Sequence, residues 1–137
     1  MMIEFSRLES LTHYGGTMDF GNDGFLYFTF GEFGGAGIAD PTDAQNISDS
    51  FRGGSFRIDV DKDPQKSHAP RRTLTQLNSD DISGVGYWIP NDNPFVDATG
   101  GTLEEYYSLG HRNPWKMTID EESGQIWVAE VLSLIHI

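Results

Sequence analysis

The sequence contains no cysteine. That excludes disulfides, thiolate zinc sites and a cysteine nucleophile, but leaves the compartment open, because secreted proteins without disulfides are common. It has no unbroken run of about 18 apolar residues, so no segment reads as a membrane-spanning helix. The stretch "MMIEFSRLES" lacks a basic region followed by an apolar one, and no secretory leader is visible in it. Basic residues are scarce: nine against 21 acidic ones, for a net charge of -12. Such a chain repels phosphate backbones and its few cations form no stripe, which argues against a nucleic-acid partner. An acidic surface attracts cations, calcium among them, although solubility accounts for the charge equally well.

Helical periodicity is missing too. What the 137 residues do contain is short aromatic and β-branched runs bounded by Gly, Asn, Asp and Pro. The pattern predicts strands near 3–8, 17–20, 25–30, 54–60, 105–109, 115–119 and 125–130, hence an all-β protein. In "SFRIDVD", Phe56, Ile58 and Val60 alternate with Arg57 and Asp59, as in a half-buried strand. "FLYFTF" is apolar on both faces, as in a strand between two layers. The one helical hint is a turn or two in "DAQNISDSF", with Asp43 as its cap. "MDFGNDGFLYF" and "MTIDEESGQIWVA" share a grammar of strand, tight polar loop ending in Gly, and aromatic-bearing strand. Gly24 and Gly124 should supply the positive φ these loops need. Repeated hairpins with a long insertion between them fit a β-propeller, yet closing one takes at least about four blades and this chain has material for roughly two. Either it is not a propeller or it is a piece of one.

Several motifs invite chemistry. "DVDKDP" resembles a calcium loop, but Pro64 and Pro70 occupy the positions where an EF-hand needs Gly and Glu, and a solvated turn explains it better. "FGGAG" lacks phosphate-loop spacing. Asn46-Ile47-Ser48 fits a glycosylation sequon of a kind that arises often by chance. "IPNDNPFV" reads as a rigid structural turn. "SLGHRNPWKMTID" places Gly, His, Arg and Asn between two strands, where loops display functional groups. Arg112 offers a planar fork for carboxylate or quinone oxygens, and Asn113 both donates and accepts. Equally, Arg112 would pair with a surface acid and Asn113 would cap the turn before Pro114. His13 precedes Gly15 and Gly16, which let a ligand approach the backbone. It would act as a general base if a partner fixed its tautomer, and Glu32, at the end of the second hairpin strand, is the candidate partner. The alternative leaves His13 a polar loop residue and Glu32 a solvated strand end.

Together "HYGGTMDFGNDGFLYFTFGE", "DPTDAQNISDSFRGGSFRIDVD", "YWIPNDNPFV", "YYSLGHRNPWKMTID" and "SGQIWVAEV" resemble, in order and spacing, the glucose/sorbosone dehydrogenase family, over roughly residues 5 to 131. The resemblance implies a six-bladed β-propeller, of which residues 1–131 would be about two blades. It implies an oxidoreductase using pyrroloquinoline quinone (PQQ) and calcium to oxidise the anomeric hydroxyl of aldoses or related alcohols, an external electron acceptor, and a periplasmic or extracellular location. Some relatives are instead extracellular binding propellers without demonstrated redox chemistry. Position by position, His13 matches the catalytic base. Glu32 matches an Asp bonded to it, and Arg112 and Asn113 match residues that contact PQQ. Thr12 departs from the family, standing where the quinoproteins carry Asp before the histidine. The end "LSLIHI" departs from the Gly-containing continuation, so residues 132–137 are expected to be a truncated or non-native tail. The calcium ligands are expected outside this chain, and the chain by itself is expected to be inactive.

Overall fold

The computed structural model describes residues 12–34, 43–48, 50–71 and 86–131. The strand expected over 3–8, the tail 132–137 and most of "FGGAG" lie outside them. The elements are β1 (Met18–Phe20), β2 (Leu26–Phe30), a 3-10 turn (Asp43–Gln45), β3 (Gly54–Ile58), β4 (Ser67–His68), β5 (Ile89–Pro90), β6 (Tyr106–Leu109), β7 (Pro114–Ile119) and β8 (Ile126–Glu130). Strands β1, β2, β3 and β6 form one antiparallel sheet in that order, while β4–β5 and β7–β8 are separate two-stranded pairs. The chain is all-β. The material expected for about two blades is one four-stranded sheet followed by a hairpin whose β7 packs beside β1 and β2. That arrangement of the described residues fits a fragment of a propeller.

The period of two in "FLYFTF" explains why β2 lies at the centre. Leu26 and Phe28 turn to a core with Phe56, Ile58, Tyr87, Ile89, Leu103 and Tyr106. Phe25 and Tyr27 turn the other way, onto Met117 of β7 and the partly buried Ile119, Ile126 and Val128. Both faces of β2 are therefore covered, as its unbroken apolar run requires. Each hairpin loop closes through its glycine in the left-handed region, at φ 86° for Gly24 and 71° for Gly124. Tyr106 shows why Gly54 is small: a Cβ there would meet the Tyr106 ring at 2.5 Å. The buried Tyr106 hydroxyl accepts the N–H of Arg52 (3.0 Å) and donates to the Ser50 carbonyl (2.7 Å), tying the segment before β3 to β6.

Three local readings need correction. Arg57 does not face solvent; it is 5% exposed, with its guanidinium 4.5 Å from the Phe25 ring centroid. It bonds to Asp23 (2.7 Å) and Asp92 (2.8 Å), so what alternation marks as the wet face of β3 is the second packed layer. "IPNDNPFV" is not only a turn, because Ile89–Pro90 pairs with Ser67–His68 before the turn begins. Two-residue strands carry too little alternation to register as a pattern. "DVDKDP" is a turn, but one built around a buried carboxylate. Asp59 accepts the N–H groups of Asp61 (2.9 Å), Lys62 (3.0 Å) and Asp63 (2.8 Å) and the Ser67 hydroxyl. Burial alone would raise its pKa; these donors outweigh burial and hold it below the ordinary carboxylate value.

Candidate active site

The end of β2 delivers Glu32 to a place where two other loops arrive. Gly31 donates its N–H to Tyr14 (3.3 Å), Glu32 donates to the Arg112 carbonyl (3.0 Å), and Gly53 donates to Gly31 (2.9 Å). The convergence is tight. A Cβ on Gly31 would lie 1.9 Å from the His13 carbonyl oxygen and 2.8 Å from that of Arg112. Only a residue without a side chain lets the His13 loop, the end of β2 and the turn before β7 touch there.

The backbone bends sharply on both sides of this junction. His13 has φ 61° and Phe33 φ 60°, both in the left-handed region that bulky residues rarely occupy. Such outliers, held by surrounding structure, are a reason to look for function. Between these bends the side chains of His13 and Glu32 meet. His13 Nδ1 lies 3.0 Å from Glu32 Oε1, with the carboxylate side chain 3% exposed and the imidazole 10%. Arg112 Nε approaches the same Oε1 at 3.6 Å, and its Nη1 donates to the Val131 carbonyl (3.1 Å). Three of the four residues singled out in the sequence thus meet on one carboxylate oxygen. Asn113 sits beside them, held by its backbone: its N–H donates to Glu130 Oε1 and its carbonyl accepts the Val131 N–H (3.0 Å).

Among the described residues His13 Nε2, Arg112 Nη2 and the Asn113 carboxamide have no hydrogen-bond partner. They are a potential acceptor and two sets of donors that could meet a ligand. Thr12 does not join them; its hydroxyl donates to the Gly34 carbonyl. Gly15 has a structural task, since a Cβ there would meet the Thr29 carbonyl at 2.9 Å, whereas no atom of the described residues lies within 4 Å of a Cβ on Gly16. No group of three or more His, Asp or Glu side chains among the described residues could hold a metal ion.

The family model described as glucose / sorbosone dehydrogenase matches residues 86–131, which carry the Arg112–Asn113 turn. A solved glucose dehydrogenase superposes over 88% of this chain with a TM-score of 0.55 and 28% identity, and a second with 0.56 and 27%. The chain belongs to the glucose/sorbosone dehydrogenase family. Among curated relatives, it is 37% identical to the HIPL1 protein of Arabidopsis thaliana over 80% of its own length. To the human Hedgehog-interacting protein it is 30% identical over 83%. The chain spans 14% and 13% of those two proteins, and 26% and 25% of the two glucose dehydrogenases. As a family member, it is part of a sugar dehydrogenase-like propeller.

Sequence reading missed a second histidine–carboxylate pair, His111 of "GHRN" with Glu130 of "WVAE" (3.1 Å). The usable signal was that the second segment returns along the first as a hairpin. It also missed a cleft of ≈ 350 Å³ at the opposite end of β2, lined by Asp23, Tyr27, Arg57, Asp92, Tyr107 and Ile126. There Arg57 bonds to both carboxylates and Asp23 also accepts the Tyr27 hydroxyl (2.8 Å), so the charges are spent on one another.

Proposed function

We propose that the longer protein containing this sequence oxidises a sugar or related alcohol with PQQ, and that His13 is the base. The observation that supports this most is the His13–Glu32 pair. With a buried carboxylate at Nδ1, the neutral imidazole keeps its proton on that nitrogen and presents the Nε2 lone pair. A hydroxyl bonded to Nε2 would lose its proton to His13 as its carbon loses hydride, and Glu32 would stabilise the imidazolium so formed. Bound PQQ would supply the hydride acceptor. The donor set is compatible with it: Arg112 brings a fixed positive charge and Asn113 a carboxamide, both suited to the oxygens of an acceptor-rich quinone. Calcium finds no comparable fit among the described residues, and no step is assigned to it. The parent would act in the periplasm or outside the cell and pass its electrons to an external acceptor.

The experiment is reconstitution of the full-length protein with PQQ and calcium, followed by dye reduction with a panel of aldoses and alcohols. Reduction by at least one of them is expected. Its absence with every substrate would favour a second reading, a non-catalytic extracellular propeller that binds carbohydrate or protein. That reading draws support from the Hedgehog-interacting protein, whose name describes binding.

A further inference from the structure

His111 lies next to Arg112 in the chain, yet its ring turns away from the His13–Glu32 pair. Nε2 is 2.8 Å from the Ser108 hydroxyl on β6, and that hydroxyl is 2.5 Å from the buried Ser55 hydroxyl on β3. Nδ1 is 3.1 Å from Glu130 Oε2 on β8. The other Glu130 oxygen accepts the Asn113 N–H. The next residue, Val131, binds the Asn113 carbonyl and the Arg112 guanidinium. One proton order satisfies the whole series. Nδ1–H donates to Glu130, Nε2 accepts the Ser108 proton, and Ser108 accepts the proton of Ser55.

We propose that His111 is a positioning residue for Arg112 and Asn113. It fixes the Glu130 carboxylate, and Glu130 with Val131 holds the turn that displays both ligand-facing side chains. The two ring nitrogens have separate tasks. Nδ1 holds the Glu130 carboxylate on the β7–β8 hairpin, and the Ser108 contact at Nε2 orients the ring so that Nδ1 faces it, a task a short amide does not need. The backbone at this turn is secured independently, by Gly110 N–H on the Ala44 carbonyl (2.8 Å) and His111 N–H on the Gly53 carbonyl (2.9 Å). Changing the ring should therefore loosen what Glu130 holds without unfolding the turn. The claim that this serves cofactor binding rests on the PQQ reading above; the claim that the ring orders the turn does not.

Isosteric substitutions separate the two nitrogens in the full-length protein. His111→Asn places an amide donor near Nδ1 and keeps Glu130 held, whereas His111→Gln reaches toward Ser108 and leaves Glu130 free. Amide hydrogen exchange at Asn113 in the cofactor-free protein should accelerate about tenfold in His111→Ala and His111→Gln, the equivalent of one lost charge-assisted hydrogen bond, and stay near wild type in His111→Asn. The dissociation constant for PQQ, followed by optical titration, should rise about tenfold in the same two variants. Unchanged exchange at Asn113 in His111→Ala overturns the proposal. So does equal behaviour of the Asn and Gln variants, which would mark His111 as packing alone. If the exchange pattern appears but wild type binds no PQQ, the positioning role stands and the cofactor reading falls.

Discussion

His13 Nδ1 and Glu32 Oε1 lie 3.0 Å apart across nineteen residues of sequence, and Gly31, directly before Glu32, lets the two loops close. A carboxylate at Nδ1 favours the tautomer that donates there and leaves Nε2 as the acceptor, which is the form the proposed base needs. Glu32→Gln keeps the shape of the partner and removes its charge. On the proposed PQQ chemistry, it should lower kcat of the full-length protein reconstituted with PQQ by roughly 10²-fold with a small change in KM, because the lost charge matters most as the imidazolium forms. Steady-state dye reduction with the best aldose checks this. A kcat within about twofold of wild type would remove Glu32 from the mechanism.

Gly31→Ala tests the junction itself. The added methyl would meet two backbone carbonyls, from His13 and Arg112, and neither can swing aside as a side-chain tip would. Overpacking of this kind costs about 1–3 kcal/mol, and the loops must separate to relieve it. Urea denaturation of the full-length protein should show that loss, together with a fall in activity. Gly124→Ala, on the exposed β7–β8 loop, should cost stability through its φ of 71° and leave activity in place.

Six of the expected strands appear because each carries its own signal, a run of apolar or alternating residues ending in a turn. The central position of β2 was legible for the same reason. The buried polar groups were not. Arg57 looks like a solvent-facing residue in "SFRIDVD", and nothing local shows that Asp23 and Asp92, 34 and 35 residues away, come to meet it. His13 and Glu32 could be paired in advance only because a hairpin brings the chain back. Glu130 is as far along the chain from His111 as Glu32 is from His13, but that pairing exists only because β8 returns along β7 and has no motif of its own.

Arg57 makes the buried network testable. Its pKa would be lowered by burial, but bonds to Asp92 and Asp23 outweigh that and raise it, so the side chain remains charged. Arg57→Ala leaves Asp23 without its cation and removes the plate that covers Phe25. Roughly 3 kcal/mol of stability should be lost. Asp92→Asn, at an exposed carboxylate, should cost less than about 1 kcal/mol. Chemical denaturation of both variants distinguishes the two cases, and equal losses would contradict the assignment of Arg57 as the centre of the network.

Glu104 sets an acid limit on the fold. Its side chain is 2% exposed and receives Arg71 Nη2 (2.7 Å), the Asp97 N–H (2.9 Å) and His68 Nε2 (3.3 Å). Burial would raise its pKa, yet Arg71, the Asp97 amide and His68 together hold it below its ordinary value of 4.5. A carboxylate whose pKa is lower folded than unfolded binds fewer protons when folded. Its stabilisation is fully present above the unfolded value and is lost as pH falls from there through the folded one. Stability of the full-length protein should therefore decline as pH drops below about 4.5, with other lowered carboxylates, Asp23 and Asp59, adding to the slope. In Glu104→Gln the stability at neutral pH should be lower and the acid slope shallower by the share of one titrating group. Urea melts at a series of pH values measure both quantities, and an unchanged slope would show that Glu104 is not held in the charged form by its three donors.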